Sequence, residues 1–327
     1  MRRLFSFFLL AFLLIVLCSC ELSYEAPPVG KMHILVYGND YRYGIFNPEK
    51  QKYESFVRFE DETLYNGKAQ SLSCTIADAT EVGKALSALA QKAGCFDSVD
   101  VTYLTDSPDT NLASFKTAIS TIAADSSDND ITILYFSCHG LYLGAKGMKI
   151  PYGIDTTDNS FIAFKHDTIP GENVLFPISK AISLIDAVKG VKVVISDFCY
   201  SGAFVQPDYF SVTFGEYSGM DTATLFSVHK DEISINPSLY CLSASRYYEE
   251  SHEDGGIGHG YFTEALLDGL GWDEENQILV SPKAGKNGMI TLFELAKYVT
   301  ANDSEPSWAS QTPMVSGGSN DIVLFSF

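Results

Sequence analysis

The chain has 327 residues, 46% of them hydrophobic, enough to bury a sizeable core in one large domain or two small ones. Asp and Glu (41) far exceed Lys and Arg (22), and the net charge of -19 argues against nucleic acid or any other phosphate-rich partner; such a balance reads first as solubilising surface, with attraction of a basic peptide as the alternative. The 7 cysteines show no CxxC spacing, which argues against structural zinc.

Met1-Arg2-Arg3 supplies a positive start, and Leu4 to Leu17 is an almost unbroken apolar stretch, too short and too abruptly ended to span a membrane. Residues 1–19 therefore read as an export signal. Leu17-Cys18-Ser19-Cys20 resembles the lipobox of bacterial lipoproteins, which implies lipidation at Cys20 and a membrane-anchored protein of the bacterial cell envelope, facing the periplasm or the exterior. Ordinary cleavage and free secretion is the alternative. Residues 20–31, with Pro27-Pro28 and Gly30, read as a tether, and residues 32–327 as one domain. Maturation leaves Cys74, Cys95, Cys138, Cys199 and Cys241, an odd number that cannot all pair and so flags a free thiol.

Met32 to Tyr37 predicts a first buried strand, followed by a turn at Gly38-Asn39-Asp40. Asp78 to Ala93 predicts a helix with Val82, Leu86 and Leu89 on one stripe, and Val101 to Leu104 the next strand. Leu112 to Ala124 is a second helix, Ile131 to Ser137 a central strand, Ile178 to Val188 a helix and Val191 to Ser196 another central strand. After a long Tyr/Phe/Ser/Thr-rich segment from Val205 to Asn236 come a strand at Leu239–Ser243, helices at Tyr261–Leu270 and Leu292–Val299, and a closing strand at Ile322–Phe325. The alternation predicts an α/β domain, a mostly parallel central sheet with helices on both faces.

Two of the apolar runs stop at reactive side chains, His139 and Cys199, each near a glycine. Strands buried on both faces deliver such residues to the carboxyl edge of an open sheet, where α/β folds place their chemistry. A thiol attacks only as thiolate and needs a proton acceptor beside it, so the pair is equipped for cysteine acyl transfer. Gly202 permits a tight turn after the cysteine, and the backbone N–H groups of Cys199 and Gly140 are candidate oxyanion donors. His259-Gly260 is the competing His-Gly pair, but no buried strand leads into it. Neither Ser201 nor Ser218 lies in G-x-S-x-G, and GLYLGAKG lacks Walker spacing.

Ser137-Cys138-His139-Gly140 and Asp197-Phe198-Cys199-Tyr200-Ser201-Gly202 resemble the S-G-H-G and D-x-C-x-S-G motifs of metacaspases and the wider caspase-like cysteine peptidases. The segments LSCTIADA, LSASRYYEES, GHGYFTEALLDGL and QTPMVSGG extend the likeness in order along the chain. The resemblance implies a caspase-like fold and an endopeptidase that cleaves after Arg or Lys, with Asp78 and Asp197 receiving the P1 cation and Ser137 lining the pocket. A buried guanidinium needs carboxylates to offset its desolvation, whereas P1 aspartate would need arginines, and Arg246 is the only candidate cation in the segment LSASRYYEES after the nucleophile.

The chain departs from the motifs at Cys138, which replaces a glycine, and at Tyr200, which replaces a histidine. Cys138 reads as a buried small hydrophobe, with a silencing disulfide to Cys199 as the alternative. No cofactor is required. The paired aspartates that bind calcium in some metacaspases are replaced by Phe176-Pro177, leaving Asp155 and Asp158 as candidate calcium ligands. The rival class is a catalytically silent caspase-like module that binds partners at the envelope; a gingipain- or clostripain-like protease is the neighbouring enzyme reading.

Overall fold

The fold was analysed in a computed structural model, which describes residues 30–41, 44–47, 52–55, 71–105, 110–144, 158–165, 173–205, 239–306, 309–316 and 321–327. The export signal, Cys20, most of the tether, Asp155, Ser218 and nearly all of the segment from Val205 to Asn236 lie outside them.

Six strands form the central sheet: β1 (Met32–Gly38), β2 (Val99–Leu104), β3 (Ile131–Ser137), β4 (Val191–Asp197), β5 (Leu239–Ser243) and β6 (Met314–Ser316), in the order β6-β5-β4-β3-β1-β2. All neighbours run parallel except β6, which is antiparallel to β5 at one edge.

Alternation along each strand divides the core in two. Ile34, Val36, Ile133, Tyr135, Val193 and Ile195 face helices α1 (Thr75–Ala93), α4 (Tyr261–Leu270) and α5 (Leu292–Asn302). Leu35, Tyr37, Leu134, Phe136 and Val194 face α2 (Leu112–Asp125) and α3 (Ile178–Ile185). Burying each large apolar side chain contributes roughly 1.5–3 kcal/mol, so covering both faces is what holds the parallel sheet together.

Three of the boundaries that differ from the sequence reading are set by contacts distant in the chain. Helix α1 begins at Thr75 because the Glu253 carboxylate accepts hydrogen bonds from the backbone N–H groups of Ser73 (2.8 Å) and Cys74 (3.0 Å), in place of the side-chain cap that Cys74 does not provide. Gly30 and Lys31, read as tether, are docked: Lys31 N–H donates to Asp130 Oδ1 at 2.9 Å, and a β-carbon on Gly30 would meet the Asn129 carbonyl oxygen at 2.5 Å. The last strand, Val323–Ser326, pairs with Met289–Thr291 in a separate ladder, so the sheet is closed by β6 instead.

The parallel register brings the reactive residues level. Ser137 at the end of β3 pairs with Asp197 at the end of β4, so His139 and Cys199 each follow two residues beyond matched positions on adjacent strands. Such strands lie about 4.8 Å apart.

Candidate active site

His139 and Cys199 line one cleft of about 420 Å³ at the carboxyl edge of the sheet, and both are partly exposed. Asp78, Ser137, Gly140, Asp197 and Gly260 line it too, so the candidate residues chosen from sequence for catalysis, oxyanion binding and P1 recognition converge here. A larger hollow of about 850 Å³, at the opposite edge near His33 and Asp100, contains no thiol. His33, Asp100 and Asp125 there have ligand atoms within 4.8 Å of one another, but Lys31 already bridges Asp125 at 2.7 Å.

Backbone geometry around Cys199 is tight. A β-carbon on Gly202 would meet the Ser245 carbonyl oxygen and the Tyr247 nitrogen at 2.6 Å, so this glycine is required by close approach and not by a turn. The left-handed residue is Tyr200, at φ 65°, held by its N–H to the Glu249 carbonyl at 2.7 Å and its hydroxyl to Glu250 at 3.3 Å. A non-glycine residue in that region costs about 1–3 kcal/mol, offset here by those anchors beside the thiol.

The Cys199 thiol points its hydrogen at the Ser251 carbonyl oxygen, with Sγ 3.6 Å away. Burial pushes the thiol up to about 12, opposed by that backbone contact and reinforced by the charges of Glu250 and Asp197. At neutral pH it is protonated. Cys138 is buried in the core beneath, its thiol pushed well up by burial, and all five described cysteines are unpaired.

His139 is gripped by Tyr41, a residue the motifs gave no reason to select. The rings lie 4.5 Å apart, the His139 backbone N–H donates to the Tyr41 hydroxyl at 2.9 Å, and that hydroxyl donates to the Ala163 carbonyl at 2.6 Å.

Below the dyad, Asp78 accepts from Ser137 Oγ at 2.9 Å and from the Gly260 N–H at 3.3 Å, and contacts His259 Nδ1 at 2.7 Å. Asp197 accepts from Ser251 Oγ and from Thr263 Oγ1, the latter at 2.6 Å. Burial, followed by the charge of Asp78, pushes the Asp197 carboxyl up to about 7. Burial also pushes the Asp78 carboxyl up, against His259, Ser137 and Gly260, which favour its ionised form. His259, set aside in the sequence as a competing His-Gly pair, thus lies buried behind the cleft, where it contacts the lining residue Asp78 without lining the cleft itself. Ser251 and Thr263 fall within the family-like segments LSASRYYEES and GHGYFTEALLDGL but were given no role there, and Glu274 lies in no such segment. Arg246 does not line the cleft and pairs with Glu249 at 3.3 Å.

An open, mostly parallel α/β sheet that presents a thiol, an imidazole and two buried carboxylates in one cleft defines the protein as a candidate thiol hydrolase of the caspase-like type. The profile of the caspase domain family matches residues 61–309, which include both His139 and Cys199, and the chain belongs to that family. Family membership implies a cysteine peptidase acting on protein substrates. Among solved structures, protein GSU0716 of Geobacter sulfurreducens is similar at 18% identity and a TM-score of 0.49, over 88% of this chain and 94% of that one. Caspase-1 of Spodoptera frugiperda is similar at 10% identity and a TM-score of 0.45, over 93% of each chain. No curated protein matches significantly. The fold assignment rests on the family match and the sheet itself, not on these two likenesses.

Proposed function

We propose that the protein is a cysteine endopeptidase that hydrolyses peptide bonds after Arg or Lys, with Cys199 as nucleophile and His139 as its proton partner. The observation that carries the reading is the shared cleft, in which both residues stand above Asp78 and Asp197. Because the resting thiol is protonated, His139 takes the proton as substrate enters and excludes water, instead of holding a preformed thiolate. The sulfur attacks the carbonyl carbon, and the N–H groups of Cys199 and Gly140 receive the developing oxyanion. His139 then passes its proton to the departing amine, and water releases the acyl group from sulfur.

The deciding experiment is hydrolysis of Arg- and Lys-terminated fluorogenic peptides by wild type and Cys199→Ala, with and without calcium and reductant. Wild type should cleave and the variant should not, and a peptide warhead ending in arginine should add its mass to Cys199. A silent binding module is the second reading, favoured by one observation, the Cys199 thiol turned onto the Ser251 carbonyl oxygen. Wild type that cleaves none of the peptides would select it. Anchoring through Cys20 at the cell envelope is part of the proposal, and an unmodified mature N-terminus by mass spectrometry would remove it.

A further inference from the structure

His259 lies in the short strand His259–Gly260, paired with Glu253–Asp254, and its side chain is buried. Both ring nitrogens meet carboxylates: Nδ1 is 2.7 Å from Asp78 Oδ1, and Nε2 is 2.9 Å from Glu274 Oε2. A neutral imidazole has one donor and one acceptor, whereas an ionised carboxylate only accepts. Two such partners therefore call for a ring that carries protons on both nitrogens.

Gly260 ties this ion pair to the second carboxylate. Its N–H donates to Asp78, and a β-carbon on it would meet Asp197 Oδ2 at 2.3 Å. The partners differ in solvent exposure: the Asp78 side chain is 1% exposed and that of Glu274 is 50% exposed. Water screens Glu274, so the imidazolium charge is felt chiefly at Asp78. Asp254 pairs with His259 across the ladder, its carboxylate accepting from Gly256 N–H and the Tyr261 hydroxyl, and Glu264 on α4 is near enough to feel the charge of the ring.

We propose that His259 is a specificity-determining, positioning residue of the P1 pocket: it cancels the charge of Asp78, leaves Asp197 as the carboxylate that meets the substrate cation, and so matches the pocket to one basic side chain. The inference rests on the peptidase reading above and deepens it. The two acids that sequence treats as equivalent are thereby divided, Asp197 as ligand and Asp78 as counter-ion. Consistent with this, Asp78 and Glu274 hold the imidazolium up to about pH 9, against the burial that lowers it.

The test is charge suppression, read as KM and kcat for Arg- and Lys-terminated peptides. Asp197→Asn leaves an internally neutral Asp78–His259 pair, and KM should rise on the order of a hundredfold, the scale for loss of a buried charge partner. Adding His259→Gln frees the Asp78 carboxylate, and KM should recover by at least about tenfold, with kcat moving less. A merely structural histidine predicts that the double variant is no better than Asp197→Asn, and that result overturns the proposal.

Should that double variant fail to fold, the comparison becomes wild type against His259→Gln, in which the Asp78 charge stands uncompensated beside Asp197. The pH above which KM for the basic peptides falls should then move upward, because an unscreened neighbouring carboxylate raises the Asp197 carboxyl; an unmoved profile overturns the proposal. Wild type that neither cleaves these peptides nor takes the arginine warhead on Cys199 fails the peptidase reading itself. An active wild type without suppression fails only the role of His259.

Discussion

Gly140 and Cys199 meet backbone to backbone: a β-carbon on residue 140 would stand 2.0 Å from the Cys199 carbonyl oxygen and 2.5 Å from the Phe198 ring. The glycine beside the histidine is what lets the two strand ends close on each other. Gly140→Ala must therefore displace the Cys199 segment. We expect a stability loss of about 1–3 kcal/mol by thermal unfolding. Turnover should fall by up to about a hundredfold, since an ångström of misplacement suffices for that. Unchanged kcat would show that the contact does not position the thiol.

Cys199 should alkylate slowly at neutrality. Its thiol is pushed up to about 12 by burial, so iodoacetamide labelling should climb steadily from neutral pH towards pH 10. A plateau near pH 7 would reveal a preformed thiolate–imidazolium pair and refute the protonated resting state.

Binding of a P1 mimic should tighten with rising pH. The Asp197 carboxyl is pushed up to about 7, so below that pH it is largely protonated and attracts a cation weakly, and above it the charge is restored. Benzamidine titrated calorimetrically into Cys199→Ala should bind better near pH 8 than near pH 6 and should release protons near neutrality. Binding that is flat across this range removes Asp197 as the cation's partner.

The His259 imidazolium should also register in stability. Its pKa is raised from 6.5 to about 9, so its contribution is fully present below the unfolded value and is lost as pH rises through about 9. The wild-type Tm should decline from neutral to alkaline pH, and His259→Gln should flatten that decline. Parallel curves for the two proteins would contradict a charged ring.

Tyr41→Phe removes the hydroxyl that accepts from the His139 N–H and donates to the Ala163 carbonyl. Leaving such buried groups unpartnered costs about 1–3 kcal/mol. Because the ring that packs on His139 is kept, kcat should fall more than KM rises. A change in KM alone would place Tyr41 in substrate binding instead of in support of the histidine.

Much of the architecture was legible because sheets and helices write their burial into local periodicity. Ile133 and Tyr135 against Leu134 and Phe136 record two covered faces, and Val82, Leu86 and Leu89 record one helical stripe. His139 and Cys199 were legible for the same reason, each standing where an apolar run ends beside glycine. Asp78, Ser137 and Asp197 came from family motifs, and all three line the cleft.

The polar partners were not legible. Tyr41 reaches His139 across 98 residues, Glu253 caps the helix at Cys74 across 179, and His259 meets Asp78 across 181. The sequence by itself determined which faces are apolar and where the chain turns, since those properties repeat every two or 3.6 residues. The tertiary structure alone decided which donors satisfy each buried carboxylate: desolvation makes such a group take whatever partner packing brings near, and that pairing has no period along the chain.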